Sequence, residues 1–291
     1  MLPAAHAETR PGWFQPADAA PGDFSPNAFV RVAPDNTVTV IAKHLEMGRG
    51  TWTGLPTILA DELDADWSQI RVEGAPADAR RYRNLLFGGA QGTGGSTATP
   101  NSWMQLREAG AAARAMLVAA AAAQWGVPAA EVSVARGTVR HAASQREASF
   151  GELADAAAKQ PVPERVRLKD RSQFVFIGHA VPRTDAVAKS NGSALFTQDV
   201  KLPGMMTAMV IRAPRFGAKV KRFEAGAARK MKRVAEVVAF ETPVASGVAV
   251  LAEDFWSAKK ARDAVTVEWD ESRAFKRSTD ETMAKYRRLA A

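Results

Sequence analysis

The chain's longest helical stretch, at about residues 101–124, carries alanine and glycine on several faces, most densely from Gly110 to Ala123. Side chains this small bury little apolar surface each, so such a helix suits a buried position where other backbone packs closely against it. It is entered from Leu85-Leu-Phe-Gly-Gly-Ala-Gln-Gly-Thr-Gly-Gly-Ser-Thr-Ala-Thr-Pro100, a glycine-rich loop. The fold must therefore place a closely packed central helix behind a loop with few side chains. Arg114 interrupts the apolar run, which stays short of the roughly 18 uninterrupted apolar residues that a membrane span needs.

A length of 291 residues with 46 % hydrophobic content is enough for about two domains with real cores. Residues 28–33 and 37–43 alternate or are β-branched around Asp35-Asn36, which predicts a hairpin. His44-Leu-Glu-Met-Gly-Arg-Gly50 follows. Trp52, Leu55, Ile58, Leu59 and Leu63 then recur at helical spacing, and Gln69–Glu73 returns as a strand. The unit is strand, glycine loop, helix, strand. A second hairpin is predicted at 131–134 and 138–141 across Arg136-Gly137. Ser149-Phe-Gly-Glu152 forms a capping box for a helix to Lys159, and Pro161 and Pro163 mark a linker.

Beyond it, short strands near 194–197, 205–211, 234–240, 248–251 and 265–269 alternate with helices near 225–231 and 255–264. The fold class is therefore α+β, mixed. Ser278-Thr-Asp-Glu281 caps a last helix that reaches Ala291 with no glycine to close it, as in a chain continued by further sequence or by another chain. The expected divisions are an extended or disordered arm at 1–26, a first domain at 27–165, a linker at 166–181, a second domain at 182–272 and a terminal helix at 273–291. Met1–Ala7 ends in the Ala-x-Ala pattern of a signal-peptidase site without the usual preceding segments, so it is either the stump of an export signal or an ordinary terminus.

The absence of cysteine removes thiolate nucleophiles, disulfides and protein-held iron–sulfur clusters from this chain. Its net charge of +8 arises from 39 basic and 31 acidic residues that are mostly intermixed. Only Arg212–Arg233 is strongly basic. It reads as a solvated or partner-facing surface, because no aromatic stacking series accompanies the charge that nucleic acid would need.

Gln91-Gly-Thr-Gly-Gly-Ser-Thr97 opens a helix and can turn backbone N–H groups toward an oxyanion; the same spacing also suits a tight-packing turn. His44 and Glu46 could share a metal but lack a third ligand, and a structural role for Glu46 in bonding the loop amides is the stronger reading. His6, His141 and His179 are isolated and expected to be exposed, and Asp61, Glu62, Asp64 and Asp66 to form a solvated helix end.

Phe29-Val-Arg-Val32, His44–Gly50, Gln91–Thr97 and the alanine-rich helix together resemble the opening of the molybdopterin-binding subunit of the xanthine dehydrogenase superfamily. The likeness is to its isoquinoline 1-oxidoreductase and bacterial aldehyde dehydrogenase branch. Pro182-Arg-Thr-Asp185, Lys189, Gly192-Ser-Ala-Leu-Phe196, Asp199, Leu202-Pro-Gly-Met205 and Arg212-Ala-Pro-Arg-Phe-Gly217 resemble that family's a/b-hammerhead domain. The resemblance implies that 27–165 is the N-terminal part of a molybdopterin-binding domain and 182–272 a hammerhead.

It further implies a molybdenum hydroxylase that oxidises aldehydes or hydroxylates N-heteroaromatics with oxygen from water, using a molybdenum–molybdopterin cytosine dinucleotide. Cofactor contacts would come from Glu46, Met47, Gly48, Arg49 and Gly50, at the metal centre, and from Gln91, Gly92, Thr93, Gly94, Gly95, Ser96 and Thr97, at the pterin or its phosphates. Arg49 stands where the family often has glutamine and would favour an anionic ligand. Neither the later Gly-Gly-x-Phe-Gly loop nor the catalytic glutamate has a match, so no catalytic residue is expected in this chain.

The expected partners are a chain with the C-terminal half, a two-iron two-sulfur small subunit, a cytochrome c subunit and a small-molecule substrate, in the periplasm or otherwise the cytoplasm, with neither nucleic acid nor a membrane span. The alternative is a non-catalytic fragment that keeps the fold as a protein-interaction module. Alone, the chain is expected to leave its alanine-rich helix partly uncovered.

Overall fold

Residues 17–291 are described by the computed structural model, so the Ala5–Ala7 pattern and His6 lie outside the described residues. Two compact units divide the chain, Met1–Ala194 and Leu195–Ala291. The boundary falls later than the start of the second domain anticipated at 182.

In the first unit, β1 (Phe24–Asn27), β2 (Val30–Val32), β3 (Val38–Ala42) and β4 (Ile70–Gly74) form one sheet in that order. The β2–β3 hairpin turns at Asn36, whose φ is +72°, while the Asp35 carboxylate accepts the Thr37 N–H. β3 and β4 are parallel, joined by α1 (Thr51–Leu63), as the strand, loop, helix, strand reading anticipates. A short α2 (Ala79–Tyr82) precedes the second glycine loop, and α3 (Ala98–Trp125) lies against α1. β5 (Val132–Ala135), β6 (Thr138–His141) and β7 (Arg146–Ser149) make a three-stranded sheet, and α4 (Phe150–Ala158) starts at the Ser149–Glu152 capping box.

Phe24, Phe29, Leu55, Leu59, Leu63, Leu117 and Phe150 are fully buried in the core. α3 supplies Ala109, Ala111, Ala112, Ala113, Ala120 and Ala121 to the interior, so contrary to expectation the helix is largely covered by this chain itself. Gly110 explains how. A Cβ there would lie 2.5 Å from the Leu59 carbonyl oxygen, so α1 and α3 touch backbone to backbone.

The end of the expected arm is part of the fold. Ala17 and Phe24 are buried, and the Ala17 N–H donates to the Asn27 carbonyl because β1 completes the sheet edge. The segment anticipated as a linker at 166–181 is docked on α1. Lys169 is buried there, and the N–H groups of Val175, Phe176 and Ile177 all donate to the Asp61 carboxylate. The acids expected to be solvated are thereby corrected. Asp61 and Glu62 are 1 % and 0 % exposed, Lys169 bridges to Asp64 at 2.5 Å, and Arg107 and Arg114 reach Glu62 and Asp64 from α3 at 2.6 and 2.9 Å. Asp66 instead caps Trp67–Gln69 through its Ser68 contact.

His141 is buried, not exposed, with Ser144 Oγ 2.7 Å from Nδ1 and Glu131 3.0 Å from Nε2. His179 is exposed. Residues 194–197 form no strand. The chain there leaves α5 (Ala186–Asn191) through Gly192 and enters a single 3₁₀ turn at 197–199.

The second unit contains β8 (Thr207–Arg212), β9 (Lys219–Glu224), α6 (Gly226–Arg229), β10 (Val234–Glu241), β11 (Ser246–Ala252), α7 (Phe255–Asp263), β12 (Thr266–Asp270) and α8 (Thr279–Ala290). Its sheets run β10-β11-β8 and β12-β9. Ala225, Ala228, Val237, Val248, Val250 and Ala261 form its core. The basic run is largely paired in place, Lys219 to Glu241, Lys221 and Arg222 to Glu268, and Arg233 to Asp254. Among the described residues no helix is long and apolar enough to cross a membrane.

Candidate functional site

The two glycine loops meet. β3 carries the chain into Lys43 and His44, and the Leu45 N–H donates 3.0 Å to Thr93 Oγ1 in the second loop. His44 is 1 % exposed and lies against α3, its Nε2 3.0 Å from Asn101 Nδ2.

The first loop is shaped by Glu46. One carboxylate oxygen accepts the N–H groups of Gly48 and Gly50 at 2.6 and 3.1 Å, and the other accepts that of Trp52 at 3.1 Å. This is the amide-bonding role read from the sequence, and it leaves Glu46 no free oxygen for a metal. Burial pulls its pKa upward, but the three backbone donors together with the Lys189 charge outweigh it and hold the group ionised below its ordinary value. Gly48 and Gly50 are left-handed at φ +98° and +84°, and a Cβ at Gly48 would meet nothing, so glycine is there for conformation and not for room. Arg183, paired through both its forks to Asp185, approaches Glu46 to 3.9 Å. Among the described residues no cluster of three metal-ligating side chains forms.

The second loop spends most of its side chains on itself. Gln91 Nε2 donates to the Pro76 carbonyl and its Oε1 accepts the Asp78 N–H. Thr97 Oγ1 donates to the Gly94 carbonyl and accepts from Asn84 Nδ2 at 2.7 Å, and Asn84 is fully buried. What remains open is backbone. Among the described residues, the N–H groups of Gly92, Thr93, Gly94, Gly95 and Ser96 find no hydrogen-bond acceptor, at the head of the 28-residue α3. Gly95 and Ser96 are both left-handed, at φ +59° and +55°. Successive N–H groups in such a turn, ahead of a helix N-terminus, form a concave donor surface for anions. The Phe87 ring lies over part of it, 2.7 Å from where a Cβ on Gly92 would stand, which accounts for glycine at that position.

The surrounding charge is positive. Arg49 is exposed and makes no ion pair among the described residues, while Lys43 is 5 % exposed with Nζ on the Arg83 carbonyl and on Gln105 Oε1. Burial brings the Lys43 pKa down to about 8. Leu45, Met47, Leu85, Leu86, Phe87 and Met104 belong to these loops or the start of α3, and each is 46–67 % exposed.

Burial, then the Lys43 and Arg49 charges, push His44 down to about 4 from an ordinary 6.5, against the opposing hydrogen bond of the ring to the Gly92 backbone. A histidine kept neutral in the folded state contributes stability above pH 6.5 that is lost as pH falls toward 4. The loss amounts to about 3 kcal/mol. Urea unfolding at intervals over that range should show the decline, and His44→Gln should flatten it; an unchanged slope in the variant assigns the loss to other groups.

Asn84, Asn101 and Gln105 escaped sequence reading. The available signal was two amides four residues apart on a helix otherwise rich in alanine, which places both on one face.

Two glycine loops thus meet through the Leu45–Thr93 hydrogen bond, with Lys43 and Arg49 on the first and a run of open backbone on the second. The molybdopterin cofactor-binding domain family matches residues 10–200, and the chain belongs to that family. It is 36 % identical to the beta subunit of isoquinoline 1-oxidoreductase from Brevundimonas diminuta over 92 % of this chain and 37 % of that protein. It is 34 % identical to a membrane-bound aldehyde dehydrogenase of Gluconacetobacter polyoxogenes, named for pyrroloquinoline quinone, over 86 % of this chain and 33 % of that one. A nicotinate dehydrogenase subunit from Pseudomonas putida is 31 % identical over 65 % of this chain and 15 % of its own length. The chain thus spans about a third of the length of the first two relatives.

Proposed function

We propose that this chain holds the molybdenum–molybdopterin cofactor of a molybdenum hydroxylase, with Gly92–Ser96 receiving the pterin or its phosphates and Met47–Gly50 bordering the metal centre. The observation that carries this reading is the run of five N–H groups at the head of α3 without an acceptor among the described residues, on a loop bonded to the one that carries the exposed Arg49. The residues present fit an anionic cofactor, since Glu46, the carboxylate of the first loop, is consumed by that loop's own amides. When bound, such a cofactor supplies the two-electron redox chemistry, and the protein supplies placement and charge. Gln91, Thr93 and Thr97 serve by holding the loop open and not by touching the ligand.

Relatives named for isoquinoline, aldehyde and nicotinate support an aldehyde or N-heteroaromatic substrate with water as oxygen source. Two of them are named as subunits, which supports a heteromeric enzyme. We place the catalytic glutamate on a chain or segment carrying the C-terminal half, and the iron–sulfur clusters on a two-iron two-sulfur small subunit, consistent with the lack of cysteine here. The cytosine dinucleotide form, an a/b-hammerhead identity for the second unit, a cytochrome c acceptor and a periplasmic location belong to the same proposal. They rest on the sequence motifs, with the Ala5–Ala7 pattern supporting export. The second reading, an interaction module, draws on the exposed Leu45, Met47, Leu85, Leu86 and Phe87.

Gly95→Ala in the assembled complex tests the assignment. Its Cβ would meet only Thr97 Cγ2 at 3.7 Å, so the folding cost is the left-handed φ alone, about 1 kcal/mol. Gly126→Ala, with φ +67° and open space at the far end of α3, is the matched control. Molybdenum and pterin per folded protein should fall in Gly95→Ala and stay full in Gly126→Ala. Equal occupancy in both variants, or a wild-type complex that carries pyrroloquinoline quinone or no cofactor, overturns the proposal.

A further inference from the structure

Pro182-Arg-Thr-Asp185 and Lys189 take no part in the function proposed above, yet they lie against the first glycine loop. They belong to the first unit, shortly before its boundary at Ala194. Thr184 fixes this segment to the start of α1, its N–H donating to Thr53 Oγ1 at 3.1 Å and its hydroxyl to the Trp52 carbonyl at 2.9 Å. Arg183 donates through Nε and Nη2 to the two oxygens of Asp185, both at 2.9 Å, and the Lys189 ammonium reaches the same carboxylate at 2.6 Å. Arg183 Nη2 also stands 3.9 Å from Glu46, whose side chain is only 6 % exposed, and Nη1 lies 3.8 Å from where a Cβ on Gly50 would be. The Lys189 charge acts on Glu46 as well. Two cations therefore serve two carboxylates, and they serve them unequally. Asp185 takes the direct bonds, while both Glu46 oxygens remain with the Gly48, Gly50 and Trp52 amides. A guanidinium forked onto Glu46 would compete with those amides for the same oxygens.

We infer that Arg183, Asp185 and Lys189 are positioning residues for the Met47–Gly50 loop: the two cations supply the positive charge that a buried Glu46 needs, and Asp185 holds them at a distance that leaves the Glu46 oxygens on the loop amides. The role in the reaction rests on the reading that this loop borders the metal centre. Charge alone does not suffice for it. A lysine at 183 would be a point charge free to approach Glu46, whereas a guanidinium forked onto Asp185 is fixed in its plane.

Amide hydrogen exchange in the full chain reads the loop without any cofactor. Asp185→Ala and Arg183→Gln should speed exchange at Gly48, Gly50 and Trp52 by about fivefold, the upper range for ion pairs this exposed, while the amides of α3 keep their wild-type rates. Arg183→Lys should recover only part of the protection. Lys189→Gln changes an exposed residue and leaves the Arg183–Asp185 fork and the Thr184 anchor in place, so it should act in the same direction even where Asp185→Ala does not fold. In the assembled complex, compared per molybdenum bound, the Mo(V) electron paramagnetic resonance signal should shift in Arg183→Gln. Wild-type exchange at the three amides in every variant, or equal acceleration along α3, overturns the inference. Faster exchange at those amides with an unchanged molybdenum signal upholds the hold on the loop and overturns instead the placement of that loop at the metal.

Discussion

Replacing Asp61 by alanine is expected to destabilise the first unit by about 3–5 kcal/mol, the cost of removing one partner from a buried charge network. The carboxylate accepts the N–H groups of Val175, Phe176 and Ile177 and lies 3.5 Å from the buried Lys169 ammonium. Alanine leaves all four donors without that acceptor and lets water into the end of α1. Asp61→Asn keeps one carbonyl oxygen and should lose less. Because Trp67 packs on Phe176 at 5.6 Å between ring centres, tryptophan fluorescence in urea reports the docked segment directly. A loss below about 1 kcal/mol would mean that residues 169–177 rehydrate freely and that the network contributes little, as exposed ion pairs do.

The second large effect is expected at Gly110. Alanine would put a methyl 2.5 Å from the Leu59 carbonyl oxygen and 3.0 Å from Glu62 Cβ, and a backbone oxygen within a helix cannot swing aside. α1 and α3 must separate, which costs about 2–3 kcal/mol by the usual scale of overpacking and strains the Arg107–Glu62 pair beside it. Gly54→Ala supplies the opposite sign. That glycine lies inside α1, is exposed and has nothing within 4 Å of its missing Cβ, so alanine should stabilise by about 0.5–1 kcal/mol. Thermal melts of the two variants would settle the contrast; equal shifts would show that helix propensity, and not the close crossing, governs both sites.

These two effects matter for the site because α1 and α3 each start from one of the glycine loops. Gly50 caps α1 and Thr97 caps α3, so the backbone contact at Gly110 holds the two loop ends in register. Loosening it should weaken anion binding without any change in the loops themselves.

Features that depend on neighbours a few residues away are legible in the sequence. The Asp35-Asn36 turn, the capping boxes at Ser149 and Ser278, the helix from Trp52 to Leu63 and the two glycine loops are written in local spacing, and the structure carries each of them. Glu46 was legible for the same reason, since its amide partners lie two, four and six residues on. Features whose partners lie far along the chain emerge only in the folded molecule. Asp61 and Glu62 look like a solvated helix end until Arg107, Lys169 and the 175–177 amides arrive, 45 to 116 residues later. The side chains of Gln91, Thr93 and Thr97 have the chemistry of ligands, yet in the fold they also bond Pro76, Asp78, Leu45 and Asn84. The orientation of the His44 ring is set because Leu85 orients Asn101 and Asn101 meets Nε2, a relay across three separate segments. Local pattern sets which groups a chain owns; which of them stay free is settled by packing, because a polar group that can reach a partner inside the fold is bonded to it.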